Sequence, residues 1–136
     1  MRGDAERNLG ELMRQMGPDM DPEEYVYCTL PRGAARADLT PLCTFREAEG
    51  ETMIVRRVEA EEMHLDFTFP CRRITLRVHS SLEAVGFLAK IASELAQHGI
   101  STNCVSAYYH DHLFVPADQA EDALRILREL QRATEA

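Results

Sequence analysis

The second half of the chain switches from the period of a strand to the period of a helix, and this switch limits the folds open to it. In Arg72–His79 the apolar residues Ile74, Leu76 and Val78 recur at every second position, the pattern of a strand with one buried face. Apolar residues then recur every three or four positions, the pattern of an amphipathic helix: Ala84, Leu88, Ile91, Ala92 and Leu95.

Two further strands and a last helix follow. Ile100–Tyr109 and His112–Pro116 are strand-like and almost contiguous, which predicts an antiparallel hairpin turning around His110-Asp111. Asp118, with Glu121 three residues later, predicts the start of the final amphipathic helix. Residues 72–132 therefore form a β-α-β-β-α pattern, which is a ferredoxin-like unit without its last strand.

The first half of the chain must supply the missing strand, because an uncovered sheet edge invites aggregation. Two segments have strand composition, Tyr25–Leu30 and Glu51–Val58, and either could complete the sheet. A helix is predicted over residues 5–16 and a turn-rich connector from Gly17 to Pro22. A short helical turn is expected at Phe45–Ala48.

Charge and composition exclude several classes of function. The formal net charge is −8, with 15 Lys and Arg against 23 Asp and Glu, so nucleic acid and anionic lipid are not expected partners. No apolar run approaches the ~20 residues that span a bilayer, and the first residues do not resemble a signal peptide. We therefore expect a cytoplasmic protein without membrane contact.

The four cysteines, Cys28, Cys43, Cys71 and Cys104, contain no C-x-x-C pair. This spacing favours reduced structural thiols over a zinc site or a redox pair.

The segment HSSLEAVGFLAKIASELAQHGISTNCVSAYYHDHLFVP, residues 79–116, closely resembles ACT-domain proteins of the small bacterial tandem type. It is similar, more distantly, to the paired ACT domains of arginine sensors. The resembling features are a Ser followed by Val-Gly, an amphipathic helix, Ile-Ser-x-Asn at a strand start, and a His-Asp-His hairpin ending in Val-Pro. Weaker similarity extends upstream over most of the chain.

This resemblance implies an α+β, ferredoxin-like ACT fold (βαββαβ) with two ACT-like lobes, an antiparallel sheet and helices on one face. We divide the chain into residues 1–70, an N-terminal helix plus a partial lobe, and residues 71–136, the C-terminal ACT domain. The resemblance also implies a regulatory protein that binds a small amino acid or related metabolite, rather than an enzyme.

In ACT domains the ligand typically lies at the loop between the first strand and the first helix, which here is His79–Gly86. The resemblance, together with the polar residues of the hairpin, predicts a ligand site made of twelve residues: Ser80, Ser81, Leu82, Glu83, Ala84, Val85, Gly86, Asn103, Ser106, Tyr108, His110 and Asp111.

Structural explanations compete with this site. Ser80 and Glu83 match the S-x-x-E capping box, in which Ser80 accepts from the amide three residues on. Free amides at the same helix start could instead hold a ligand carboxylate. Gly86 could allow close approach of a ligand or only tight packing. Asn103 could bind the ligand or pin the Gly99–Ser101 turn.

His110-Asp111-His112 supports one enzymatic alternative, a metal-dependent hydrolase or lyase, because a His-x-His pair on a strand places both imidazoles on one side. Turn formation is the favoured explanation of Asp111, since a regular strand would point it away from the imidazoles and no third ligand lies nearby in the sequence. No nucleophile-elbow, phosphate-loop or H-E-x-x-H motif occurs, so we expect no catalysis, metal or cofactor. The remaining alternative is a structural domain that recruits a protein partner. A homodimer is also expected from the resemblance.

Overall fold

One antiparallel sheet organises the protein in the computed structural model, which describes residues 5–34 and 38–135. Its strands are β1 (Pro18–Leu30), β2 (Cys43–Arg46), β3 (Glu51–Arg56), β4 (Thr68–Leu76), β5 (Asn103–Ser106) and β6 (Asp111–Pro116). The helices are α1 (Leu9–Arg14), α2 (Arg57–Glu62), α3 (Phe87–Gln97) and α4 (Ala120–Glu135). The strand order is β2-β3-β1-β4-β6-β5, which confirms the expected antiparallel α+β fold.

The two central strands are shared between two lobes. The first lobe consists of β2, β3 and β1, and the start of β4 completes it through the pairs Tyr25–Cys71 and Tyr27–Thr68. The second lobe consists of β5, β6 and β4, and the start of β1 completes it through Pro18–Leu76. Each lobe therefore takes its fourth strand from the other.

The missing strand of the second lobe is β1, which contains Tyr25–Leu30, and not the segment Glu51–Val58. β1 also begins at Pro18, inside the stretch that we expected to be a connector, so that expectation was wrong. Pro18 is tolerated because it is the first residue of the strand, and Pro22 lies in a register shift between Met20 and Glu24. Neither position needs the amide hydrogen that proline lacks.

β4 shows the same accommodation of a proline. It runs through Pro70, where the register shifts between the pairs Tyr25–Cys71 and Tyr27–Thr68, and Phe69 has a φ of 57°. Pro70 therefore lies at a bulge inside one strand, and β4 begins at Thr68 rather than at Arg72, where the sequence pattern begins. The helical turn expected at Phe45–Ala48 was also wrong, because β2 ends at Arg46 and a tight turn leads into β3.

The helices cover one face of the sheet. In the second lobe, Ile74, Leu76, Leu113 and Val115 are buried against apolar residues of α1, α3 and α4. In the first lobe, buried residues of β1 and β3 pack with Ala60 of α2: Val26, Cys28, Met53 and Val55. These contacts bury the apolar residues that occur at alternate positions of the strands, all on one side of the sheet.

The opposite face carries a smaller aromatic cluster. Tyr25, Ile54, Cys71 and Phe114 are buried there, and the Phe114 ring lies edge-on to Tyr25 and Tyr27 with centroids 6.4 Å and 6.1 Å apart. Edge-to-face geometry is the preferred arrangement for such rings. The cluster straddles both lobes, because Tyr25 and Cys71 lie on the shared strands.

The lobes differ in the connection that follows their first strand. α3 lies between β4 and β5 in the second lobe, whereas the described residues between β1 and β2, 31–34 and 38–42, contain neither helix nor strand. The buried side chain of Leu39 closes the first core at this point. No helix in the described part of the chain is long and apolar enough to cross a membrane.

A leucine pair tests where the second core lies. We expect Leu76→Ala to lower the free energy of unfolding by about 2–5 kcal/mol, because Leu76 is fully buried on the helix-covered face. Leu82→Ala, at a side chain that is 66% exposed, should change it by less than about 0.5 kcal/mol. Urea unfolding of both variants measures the difference. Equal effects would contradict the placement of Leu76 in the core and of Leu82 at the surface.

Candidate functional site

The loop between β4 and α3 is held in place by the N-terminal segment. The amides of Arg77 and Val78 donate to the carbonyls of Gly17 and Met16 at 3.0 and 3.2 Å. Further along, the Glu6 amide donates to the His79 carbonyl at 2.8 Å, and the Ser81 amide donates to the Glu6 carbonyl at 2.9 Å. The chain before α1 therefore packs against the loop that is predicted to hold the ligand. No sequence pattern indicated this contact.

The capping box predicted at Ser80–Glu83 was wrong. α3 begins at Phe87, and Gly86 occupies its N-cap in the left-handed conformation, with a φ of 90°. Ser81, not Ser80, accepts from the Glu83 amide, at 3.0 Å, and thereby closes a local turn before the helix. The left-handed backbone at Gly86 separates this turn from the helix, since a helix requires negative φ.

No side chain among residues 5–34 and 38–135 caps the start of α3. Glycine offers no capping oxygen, and the first turn contains no acidic residue. The first amides of a helix have no partner within the helix and form the positive end of its dipole. This end of α3 therefore favours an anionic group.

Asp111 is a buried carboxylate on the same side of the sheet as the helices. It is 5% exposed and lies opposite Leu76, whose side chain belongs to the core beneath α3. Ser106 lies opposite Asp111 and shares its face. Within the described part of the chain the Asp111 side chain has no hydrogen-bond or ion-pair partner, although a buried carboxylate gains greatly from a cationic one.

The hairpin turn between β5 and β6 lies against the same loop. His110 Nδ1 is 3.3 Å from the Val78 carbonyl oxygen, and the ring of Tyr109 lies 5.4 Å from that of His79. Tyr108 lies in this turn and is 53% exposed. The structure thus brings residues of the hairpin and of the loop to one end of the second lobe.

Not all predicted site residues gather there. Asn103 lies opposite Phe114, so its side chain is on the face away from Asp111 and Ser106. Leu82 and Val85 point into solvent, Val85 with 84% of its surface exposed. Ala84 lies outside the helix but packs against its core, and Ser80 is buried in a bridge to Glu6.

The His110-Asp111-His112 motif does not gather metal ligands in the described residues. His112 Nδ1 is 3.0 Å from Thr75 Oγ1, whereas His110 Nδ1 faces the Val78 carbonyl. Across residues 5–34 and 38–135, no group of three or more His, Cys, Asp or Glu side chains is arranged to hold a metal ion. Burial, and then the nearby charges of Arg73 and His110, lower the pKa of His112.

Comparison with known sequences agrees with this architecture. A sequence model described as an ACT domain matches residues 4–72, and a second, also described as an ACT domain, matches residues 68–129. No protein of curated function matches the chain.

Solved structures share the fold over most of the chain. A protein of unknown function from Vibrio cholerae, described as a possible transport protein, is 41% identical, with a TM-score of 0.81 over 90% of this chain and 95% of its own. A protein from Agrobacterium tumefaciens is 16% identical, with a TM-score of 0.73 over 86% of this chain and 90% of its own. The regulatory subunit of aspartate kinase from Thermus thermophilus is 11% identical, with a TM-score of 0.65 over 86% of this chain and 97% of its own.

Histidine substitution tests the electrostatics around the hairpin. Folding lowers the pKa of His112 from 6.5, so the folded state binds a proton at this ring less readily than the unfolded state does. The free energy of unfolding therefore falls as the pH drops below 6.5. We expect His112→Gln to flatten the fall in melting temperature between neutral pH and pH 5. The same substitution at the exposed His98 should leave the slope unchanged, and equal slopes for wild type and His112→Gln would contradict this assignment.

Proposed function

The chain belongs to the ACT-domain family, and from that premise we propose that it is a non-catalytic regulatory protein whose second lobe binds a free amino acid or a related metabolite. The family membership itself supports a regulatory, ligand-binding role. The identity of the ligand as an amino acid, the lack of catalysis and the residues involved are our proposal.

One observation carries the proposal. The uncapped start of α3 and the unpartnered carboxylate of Asp111 lie at the same end of the second lobe, where β4 leads into the loop and β6 begins. A free amino acid has a carboxylate and an ammonium group on one carbon. The amides at the start of α3 suit the carboxylate, and Asp111 suits the ammonium.

The surrounding residues have positioning roles in this proposal. Ser81 and Glu83 fix the turn that precedes Gly86, and the His110 contact with Val78 holds the hairpin against the loop. Ser80 and Ser106 supply further hydroxyl groups, and Leu82, Ala84, Val85 and Tyr108 stay proposed members of the site. Asn103 is not retained, because its side chain lies on the other face of the sheet from Asp111 and Ser106.

Regulation follows from a difference in affinity between two states. A ligand that contacts the α3 loop and β6 contacts both the N-terminal segment, through Ser81 and Glu6, and the hairpin, through His110. It therefore favours the arrangement in which these segments are docked. We propose that a partner protein, or a second copy of this chain, senses that arrangement in the cytoplasm.

A second candidate, a domain that recruits a protein without any ligand, is supported by one observation. Large apolar side chains are exposed around the same loop: Leu82, Val85, Tyr108 and Tyr109. Exposed apolar surface that clusters in this way is typical of protein contacts. Ligand binding distinguishes the candidates, because recruitment alone requires none.

Melting temperatures measured with each of the twenty amino acids at millimolar concentration test the first candidate. A ligand present at 100 times its Kd raises the free energy of unfolding by about 2.7 kcal/mol, so at least one amino acid should raise the melting temperature clearly. If none does, the recruiting domain is the better account.

Asp111→Asn tests the site itself. It should weaken binding of the stabilising amino acid about tenfold or more, because a charged hydrogen bond is replaced by a neutral one. Asp122→Asn, which removes an exposed carboxylate from α4, is the matched control and should leave the affinity unchanged. Isothermal titration calorimetry measures both, and an unaltered affinity in Asp111→Asn would remove this residue from the site.

A further inference from the structure

A polar cleft lies in the first lobe, away from the α3 loop. Its volume is about 370 Å³, and its lining residues come from the turn after β1 and the turn between β2 and β3: Arg32, Gly33, Arg46, Glu47, Gly50 and Glu51. Because β1 and β4 are antiparallel, this cleft and the α3 loop lie at opposite ends of the sheet.

The backbone around the cleft is well defined by hydrogen bonds. The Ala34 amide donates to the Pro31 carbonyl at 3.0 Å, and Gly33 has a φ of 80°, as the third residue of a type II turn requires. Arg32 is therefore the second residue of a closed turn.

The opposite wall is equally fixed. The amide of Glu47 donates to the Gly50 carbonyl at 2.9 Å, which closes the turn between β2 and β3. A side chain at Gly50 would have its Cβ only 2.7 Å from the Leu30 carbonyl oxygen. Glycine thus lets this turn pack directly against the end of β1, next to the turn that carries Arg32.

Most arginines in the described part of this acidic protein are paired with carboxylates, whereas the two arginines of the cleft are not. Eight other arginines form ion pairs with carboxylates: Arg7, Arg14, Arg56, Arg57, Arg72, Arg73, Arg77 and Arg125. Arg32 and Arg46 have no such partner among the residues that the structure describes. Two guanidinium groups therefore face one cleft with their donors available.

The carboxylates of the cleft are arranged differently. Glu51 lies directly opposite Arg46 on the neighbouring strand, yet the two form no ion pair, although opposite charges in that position usually attract. Glu47 accepts a hydrogen bond from Thr52 Oγ1. The cleft thus offers two positive and two negative groups, which complement a ligand that itself carries both charges.

We propose that this cleft is a second ligand site, which binds the zwitterionic head group of a free amino acid. Arg32 and Arg46 bind the carboxylate, since guanidinium groups match carboxylate geometry, and Glu51, assisted by Glu47, binds the ammonium group. The site does not depend on the α3 loop, so either site could fail while the other stands.

NMR of the full chain labelled with ¹⁵N tests this proposal. Each of the twenty L-amino acids is added in turn, and the amide signals of Gly33 and Gly50 report on the new cleft while that of Gly86 reports on the α3 loop. We expect at least one amino acid to shift the Gly33 and Gly50 signals in a saturable manner. If no amino acid shifts them, the proposal is wrong, whatever happens at Gly86.

Head-group analogues and variants complete the test. The N-acetyl and the carboxamide derivatives of the responding amino acid should each bind at least tenfold more weakly, because each lacks one of the two charges. The Gly33 and Gly50 signals report this affinity. Arg32→Gln and Arg46→Gln should weaken binding about tenfold or more, whereas Arg128→Gln, at an arginine of α4 outside the cleft, should not. The proposal would be overturned if the derivatives bound as tightly as the parent amino acid, or if Arg32→Gln and Arg46→Gln bound it as tightly as the wild type.

Discussion

The exchange of strands between β1 and β4 is the constraint on which the rest of this structure depends. In the described residues neither lobe has four strands of its own, so neither covers the edge of its sheet without the other. The aromatic cluster strengthens this dependence, because Tyr25 and Cys71 are directly paired across the two lobes and Phe114 packs against both. A change that displaces one central strand therefore disturbs both lobes.

The same exchange decides where ligands can be held. Each lobe presents the connection after its first strand and its own hairpin turn at one end of the sheet, and the antiparallel central pair sends these ends in opposite directions. In the second lobe that connection ends in α3, which offers a helix start, and the buried Asp111 lies at the same end of the lobe. In the first lobe the corresponding end offers side-chain charges, from Arg32, Arg46 and Glu51. Two lobes of one fold thus present different chemistry.

Much of the second lobe could be predicted from sequence, because its strand and helix periods are long and regular. Ile74 and Leu76 identify β4, and Ile91 and Leu95 identify α3. The first lobe was harder, since Pro18, Pro22 and Pro70 look like breaks in the sequence but lie at a strand start and at register shifts. A proline at such a position removes no hydrogen bond, and only the paired strand reveals this.

The candidate site was predictable in part for similar reasons. The loop before α3 and the hairpin could be placed at one end of the lobe, but the S-x-x-E spacing suggested a cap where Gly86 starts the helix instead. The alternation of side chains along a strand places Asn103 and Ser106 on opposite faces of the sheet. Only the pairing of Asn103 with Phe114, and of Ser106 with Asp111, shows which of these faces is covered by the helices. The contact of Glu6 with the loop, and the cleft between Arg32 and Arg46, depend on long-range packing that no local pattern encodes.

Denaturant unfolding followed by NMR tests the sharing of β1 and β4 most directly. Amide signals from β2 and β3 report on the first lobe, and those from β5 and β6 report on the second. If each lobe is completed by the other, both sets of signals disappear at one common denaturant concentration. Two separate midpoints, with one lobe keeping its signals after the other has unfolded, would contradict this account.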